Sequence, residues 1–265
     1  CQQAKDTGMK MLLITSKHHD GFAMWDTATT DYNFTKQSPS HRDPLLELSQ
    51  ACKQVGIKFG LYFSNIDWEK QPENPWMNDN TLDEEGYMDY IHAQLKELLG
   101  GKYGDIAELW YDMGKPNPAQ SDQLRAWAHE LQPGIMINSR VGNDRADFEV
   151  GWDNEMQSEQ TQGPWESAVS IFHKTWGYAN WDDSTAPKFK DTGYPDYSEE
   201  DWDHMVDVDN ETRLRKDPDG VAKKTTETLT NLFNTAALGG QFLFNVGPKF
   251  DGSYNQWDAS VPVSY

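Results

Sequence analysis

Short apolar runs alternate with amphipathic stretches along most of this chain. The runs are bounded by polar or turn-forming residues and predict six strands, at residues 11–15, 58–63, 106–112, 134–139, 168–172 and 241–246. The first run, Met-Leu-Leu-Ile-Thr, lacks polar alternation. Such a pattern is typical of a strand that is covered on both faces in a parallel sheet.

Amphipathic stretches between these runs predict four helices. The clearest begins at Pro44 behind the N-cap residue Asp43 and ends before Gly56. A second contains Met88, Ile91, Leu95 and Leu98 on one face, and we expect a capping box at residues 81–84 to begin it. The remaining two are expected at residues 121–131 and 221–238.

Strand and helix alternate without a break in composition. This order predicts one parallel α/β domain over residues 1–265 rather than two joined domains. Two polar stretches, residues 65–80 and 179–195, fit long loops that follow strands. Loops of this length in compact domains usually border functional sites.

The charge balance limits the classes of partner. The chain has 23 Lys and Arg against 43 Asp and Glu, so its formal net charge of -20 repels nucleic acid and anionic membrane surfaces. No apolar stretch has the length needed to cross a bilayer. Cys1 and Cys52 are too few for a disulfide framework, and we interpret Cys52 as a small buried hydrophobic residue.

Polar and aromatic residues gather where the predicted strands end. The parallel strands of a barrel direct their carboxyl ends to one face, and catalytic side chains come from several such ends. The residues in this position are His18, His19, Tyr62, Trp110, Asp112 and Arg140. We therefore expect them to converge on one active site.

A metal site is one alternative for the first of these strand ends. His18, His19 and Asp20 are potential ligands, but adjacent histidines point in opposed directions and no His-x-His or His-x-x-x-His spacing accompanies them. We predict neither a metal nor another cofactor.

Several motifs along the chain resemble the α-L-fucosidases of glycoside hydrolase family 29. The resemblance rests on residues 15–22 (TSKHHDGF), 60–64 (GLYFS), 108–112 (ELWYD), 164–166 (PWE), 176–178 (WGY) and 245–252 (NVGPKFDG). These motifs occur in the order that the family has and extend over nearly the whole chain.

The resemblance implies a (β/α)8-like TIM barrel and a retaining exo-glycosidase that removes terminal α-L-fucose from glycans. Asp112 matches the nucleophile position and would form a covalent fucosyl intermediate, with a second carboxyl group roughly 5 to 5.5 Å away. Five residues match positions that hold the sugar: His18, His19, Tyr62, Trp110 and Arg140. Trp176 and Trp25 are candidates for the apolar wall beside the methyl group of fucose.

The second carboxylic acid is assigned less directly. Glu155 is the first choice for the acid/base residue because its separation from Asp112 fits the family's usual spacing. Glu166 in the PWE motif is the second choice, and Asp153 and Glu149 stay open as alternatives.

The chain also departs from the family pattern. The family's opening strand, with its sugar-contacting histidine, has no counterpart before Met11, so we expect a barrel truncated at the amino end. The loss of helical pattern after Gly252 raises the same expectation for the carboxyl end. A fucose-binding protein without turnover is therefore a second functional hypothesis. Family resemblance favours a secreted, periplasmic or lysosome-like location, and the oligomeric state is not predicted.

Overall fold

The computed structural model describes residues 1–71, 79–159, 161–171, 176–177, 219–248 and 253. The chain divides into two compact units, Cys1–Val150 and Gly151–Tyr265. The single domain expected over residues 1–265 stays a prediction. The predicted loop at residues 179–195 and the motif residues 249–252 lie outside the described residues.

The first unit contains a parallel sheet of four strands in the order β1-β2-β3-β4. The strands are β1 (Met11–Lys17), β2 (Lys58–Ser64), β3 (Ile106–Asp112) and β4 (Met136–Ile137). A 3₁₀ helix follows at Ser139–Val141, and a short strand β5 lies at Glu149–Val150. The first four strands predicted from the apolar runs are confirmed, although β4 is shorter than expected.

The helices of this unit are α1 (Gln2–Asp6), α2 (Phe34–Gln37), α3 (Pro44–Val55), α4 (Tyr87–Leu99) and α5 (Pro118–Leu131). The predicted cap of α3 is confirmed, since the Asp43 side chain accepts a hydrogen bond from the backbone N–H of Leu46. Gly56 ends this helix in the left-handed conformation, with a φ of 74°. At α5, Asn117 and Gln120 form a reciprocal capping box.

The capping box expected at residues 81–84 is wrong. Helix α4 begins at Tyr87 behind Gly86, which has a φ of 77° and provides no side-chain cap. Thr81 instead pairs with Lys115 in an isolated parallel bridge. This bridge joins the segment before α4 to the loop after β3, so the local capping pattern is overridden by a pairing between distant residues.

The hydrophobic core of the first unit lies between the sheet and its helices. Leu61 and Leu109 of the sheet and Ile91, Leu95 and Leu98 of α4 are fully buried within it. The apolar face predicted for the second helix is therefore the face that α4 buries. Burial of apolar surface of this kind is the main favourable term in folding.

The second unit contains two parallel strands and one long helix among its described residues. Strand β6 (Trp165–Ser170) pairs with β7 (Gln241–Asn245), and α6 (Gly220–Ala237) directly precedes β7. Strand β6 begins three residues before the predicted start. A helix that leads into a parallel strand is the expected connection in an α/β fold.

Parallel strands joined through helices confirm the α/β class of the fold. The eight-stranded barrel and its truncation stay predictions. Among the described residues, no helix is both long and apolar enough to span a membrane.

Candidate functional site

The carboxyl ends of β1, β2 and β3 bring the predicted site residues of the first unit together. The register aligns Tyr62 with Trp110 and Ser64 with Asp112. Successive side chains of a strand point to opposite faces, so these four residues share one face of the sheet. Tyr111, one residue earlier than Asp112, lies on the other face and donates its hydroxyl to the Leu124 carbonyl of α5.

Asp112 is the last residue of β3, and its carboxylate is held through both oxygens. The Tyr62 hydroxyl donates to Oδ2 at 2.5 Å, and Arg140 Nη1 donates to Oδ1 at 2.6 Å. Hydrogen bonds to a charged group are stronger than bonds between neutral groups. The side chain is only 7% exposed, so Asp112 is fixed in orientation yet retains free lone pairs on each oxygen.

Four planar groups form a stack across the strand ends. The His18 and Tyr62 rings are parallel to within 6° with centroids 5.5 Å apart, and the Tyr62 and Trp110 rings stack at 5.8 Å. The Arg140 guanidinium lies 4.5 Å from the centre of the Trp110 ring, which adds a cation–π contact. This stack orients the two donors that hold Asp112.

His19 is buried and neutral at physiological pH. Burial, the neighbouring His18 and other cations lower its pKa to about 4 against the attraction of Asp112. Its Nε2 lies 3.7 Å from Asp112 Oδ2, but an uncharged ring forms no ion pair there.

The hydrogen bonds around His19 also define its tautomer. Nδ1 lies 2.8 Å from Ser64 Oγ, whose own proton goes to the Ile66 carbonyl. The Ser64 oxygen must therefore accept from Nδ1–H, which leaves Nε2 unprotonated. A free imidazole nitrogen beside Asp112 can accept a hydrogen bond from a ligand hydroxyl.

The two tryptophans expected to wall the sugar are in different environments. Trp25 is fully buried in the hydrophobic core, where its Nε1 donates to Glu97 at 2.8 Å. Because no part of its ring is exposed, the assignment of Trp25 to the sugar wall is wrong. Trp176 is 39% exposed, and its carbonyl accepts from Asn245 at the end of β7.

The two candidates for the acid/base residue both belong to the second unit. Glu155 is exposed, and its Oε2 accepts from the backbone N–H of Trp152 at 3.1 Å. Glu166 is 1% exposed within β6 and accepts from Gln241 Nε2 at 2.6 Å. Their environments therefore differ strongly, since one is open to solvent and the other is enclosed between two strands.

The other predicted possibilities are a metal site and two alternative acid/base residues. Within the described ranges, no three His, Cys, Asp or Glu side chains are grouped in a way that could hold a metal ion. The alternatives Asp153 and Glu149 are exposed.

Sequence reasoning missed Ser64, which determines the tautomer of His19. Ser64 is the last residue of the second strand and stands within the GLYFS motif. Its position at a strand end is the same signal that identified Tyr62 and Asp112. That signal alone would have been sufficient to predict Ser64 as a site residue.

Comparison with known proteins places these residues in a family context. Residues 1–192 match the family model described as Alpha-L-fucosidase. The chain is 29% identical to alpha-L-fucosidase 1 of Arabidopsis thaliana over 98% of its own length and 48% of the plant protein.

Solved structures show the same similarity. An alpha-L-fucosidase from Lactobacillus casei in complex with its α-L-fucose product has 28% identity and a TM-score of 0.69, with 99% of this chain and 75% of that chain covered. Alpha-L-fucosidase isoenzyme 1 from Paenibacillus thiaminolyticus has 27% identity and a TM-score of 0.73, with 99% and 60% covered. The chain thus spans about half the length of the full-length plant relative.

Proposed function

The chain belongs to the alpha-L-fucosidase family, and we propose on this premise that it is part of an exo-acting glycosidase that removes terminal α-L-fucose from glycans. The observation that carries the proposal is the Asp112 carboxylate, held by Tyr62 and Arg140 at the end of β3. A buried carboxylate on a rigid strand, surrounded by groups that bind neutral hydroxyls, is suited to attack on a sugar.

The proposed reaction retains configuration and proceeds in two displacements. In the first, an Asp112 oxygen forms a bond to the anomeric carbon while the bond to the leaving oxygen breaks and that oxygen receives a proton from the acid/base residue. In the second, the same residue removes a proton from water, and the water oxygen displaces Asp112. The products are fucose and the shortened glycan, and both carboxyl groups return to their initial state.

The strand polarity supports Glu155 over Glu166 as the acid/base residue. Asn154 is bonded to the carboxyl-terminal half of β6, since its N–H donates to the Ala168 carbonyl and its side chain accepts from the Ser170 N–H. Glu155 therefore lies beside the end of the strand where barrel enzymes carry their chemistry.

Glu166 occupies the opposite end of the same strand. It lies four residues before Ser170, the last residue of β6, which at about 3.3 Å per residue is roughly 13 Å away. Its register partner Gln241 is the first residue of β7 and donates to it. We therefore assign Glu166 to the packing of the two strands.

The groups around Asp112 match the chemistry of a neutral sugar. The unprotonated Nε2 of His19 accepts from a hydroxyl, the exposed imidazole of His18 contributes a second polar contact, and Arg140 donates. Trp110 supports these groups through its stacking contacts with Tyr62 and Arg140. Trp176 stays a candidate for the wall beside the methyl group, as the family resemblance implies.

Covalent trapping tests the nucleophile. Incubation with a mechanism-based 2-fluoro-fucosyl reagent, followed by digestion and mass spectrometry, should place the label on the peptide that contains Asp112. Excess fucose should slow the labelling, and Asp112→Asn should remain unlabelled. A label on another residue contradicts the assignment. Fucose binding without any label or hydrolysis would instead indicate a binding protein without turnover.

Azide rescue tests the acid/base residue. A related fucosidase has been solved with 4-nitrophenyl-α-L-fucopyranoside, and this aryl fucoside provides the assay. Added azide should restore turnover in Glu155→Gly, because azide attacks the fucosyl intermediate without needing a general base. Glu166→Gly should show lower stability and no rescue. The reverse pattern would assign the role to Glu166.

A further inference from the structure

We propose that the buried ion pair between Lys17 and Asp67 positions the His18–His19 turn for the sugar. The pair lies beneath the site, and neither residue has a role in the steps described above. The inference rests on the proposed function, because it assigns these residues to the geometry of its binding groups.

Lys17 is directed away from the site by an irregularity in β1. The register between β1 and β2 shifts between Thr15 and Lys17, so that Lys17 aligns with Phe63. Its side chain is fully buried, and Nζ lies 4.5 Å from the centre of the Phe63 ring and 5.2 Å from that of Tyr90. The shift therefore places the lysine on the helix-facing side while the next residues turn into the site.

Asp67 collects hydrogen bonds from three segments. Its Oδ2 lies 3.4 Å from Lys17 Nζ and accepts from the Tyr90 hydroxyl of α4 at 2.6 Å. Its Oδ1 accepts from the backbone N–H groups of Glu69 and Lys70 at 3.0 and 3.2 Å. The carboxylate thus joins β1, α4 and the loop after β2 at one point.

The His18–His19 turn rests directly on this carboxylate. Gly21 has a φ of +81°, and a Cβ atom at that position would lie 2.3 Å from Asp67 Oδ1. The His19 carbonyl accepts from the N–H of Trp68, the neighbour of Asp67, at 2.8 Å. The turn is therefore fixed at its start by Lys17, in its middle by Trp68 and at its end by contact with Asp67.

The energetics favour a positioning role over a stabilising one. The free energy needed to remove two charges from water offsets most of their mutual attraction. Buried ion pairs therefore contribute little to the free energy of unfolding and are better suited to defining one geometry. Burial lowers the pKa of Lys17 to about 8 in spite of the attraction of Asp67. Among the described residues, Asp67 is the carboxylate within bonding distance of the Lys17 ammonium, so a slip of β1 would separate the pair.

A double-mutant cycle tests the proposal. Lys17→Met keeps the length of the side chain and removes its charge, and we expect kcat/KM for 4-nitrophenyl-α-L-fucopyranoside to fall about 10- to 100-fold, the usual effect of misplaced binding groups. In a background that carries both His18→Ala and His19→Ala, the same change should alter kcat/KM less than about twofold, because residues that act through one another are not additive. Equal losses in both backgrounds, or no loss in the single variant, would overturn the proposal.

Two further variants separate positioning from folding. Lys102→Met removes an ion pair with Asp43 that lies away from the site, and it should leave kcat/KM unchanged. Asp67→Asn keeps the volume of the side chain and removes the negative charge of the pair. It should lower kcat/KM by the amount expected for Lys17→Met, and it provides the test if Lys17→Met does not fold. A normal kcat/KM in folded Asp67→Asn would contradict the positioning role.

A readout without turnover distinguishes this inference from the proposed function. In the full chain, the ¹⁵N shifts of His19 should show protonated Nδ1 and free Nε2, and Lys17→Met should shift them. If the wild-type chain hydrolyses no fucoside while these shifts change as expected, the proposed function fails and the positioning of the imidazoles stands. Unchanged His19 shifts in Lys17→Met would refute the positioning.

Discussion

At the scale of single residues, the site depends on one neutral imidazole and one held carboxylate. The His19 ring stays neutral at neutral pH because burial opposes its charge. The one proton of the neutral ring is on Nδ1, which donates to Ser64, so this proton points away from Asp112. Asp112 in turn accepts from Tyr62 and Arg140. The orientation of each of these side chains is fixed by a partner on another strand or loop. Substitutions at different partners should therefore have separate effects on stability and on turnover.

The lowered pKa of His19 predicts acid sensitivity of the first unit. Its folded-state pKa is about 4 against a reference value of 6.5. Between these values the unfolded chain binds the proton and the folded chain does not, so the free energy of unfolding rises with pH in this window. Acidification from pH 6.5 to 4 should therefore remove about 3 kcal/mol.

Urea unfolding at a series of pH values measures this effect. His19→Gln should remove that part of the slope, whereas His41→Gln, a change at an exposed histidine, should leave it in place. Equal slopes for the wild type and His19→Gln would show that His19 does not carry the dependence.

The phenol that holds Asp112 supports a prediction about turnover. Tyr62→Phe keeps the aromatic ring and removes the hydroxyl that donates the 2.5 Å hydrogen bond to Asp112. Since bonds to charged groups contribute about 1.5 to 3 kcal/mol, kcat/KM should fall roughly 10- to 100-fold. Tyr103→Phe also removes a phenol–carboxylate bond, to Asp43, and should not change kcat/KM. A fully active Tyr62→Phe would contradict the role of this bond.

At the scale of elements, the ends of helices and strands determine where the site residues lie. Helix α3 begins at the Asp43 cap and ends at the left-handed Gly56, and the chain then enters β2 at Lys58. The turn between them sets the register of the strand that carries Tyr62 and Ser64.

Gly56→Ala should lower the free energy of unfolding by about 1 to 2 kcal/mol, because a left-handed backbone strains any residue with a Cβ atom. No atom lies within 4 Å of the added carbon, so the loss reflects backbone conformation alone. Gly134 has equally open space and no positive φ, and Gly134→Ala should cause no loss. Chemical denaturation compares the two, and equal effects would refute the conformational explanation.

At the scale of the whole molecule, charge is the dominant feature. The formal net charge of -20 on 265 residues produces repulsion that opposes the compact state. Counterions screen this repulsion, with a Debye length that falls from about 30 Å at 0.01 M salt to about 8 Å at 0.15 M.

Salt should therefore stabilise the folded chain. We expect Tm at pH 7 to rise by a few degrees between about 0.01 and 0.15 M NaCl, the range in which screening becomes effective. Thermal scans in NaCl and KCl should agree, because screening depends on ionic strength rather than on the identity of the cation. A Tm that stays constant or falls would show that repulsion does not limit stability.

The sequence by itself determined the main strands and helices and the residues at the strand ends. Apolar runs located β1, β2 and β3. The positions near or just beyond their carboxyl ends identified His19, Tyr62 and Asp112, because strand period and chain direction are local properties. Only the tertiary structure decided what these residues contact. The bonds of Asp112 to Tyr62 and Arg140, the ion pair of Lys17 with Asp67, and the burial of Trp25 in the core join positions far apart in the chain. Such contacts depend on how helices and strands pack together, and no local pattern encodes that packing.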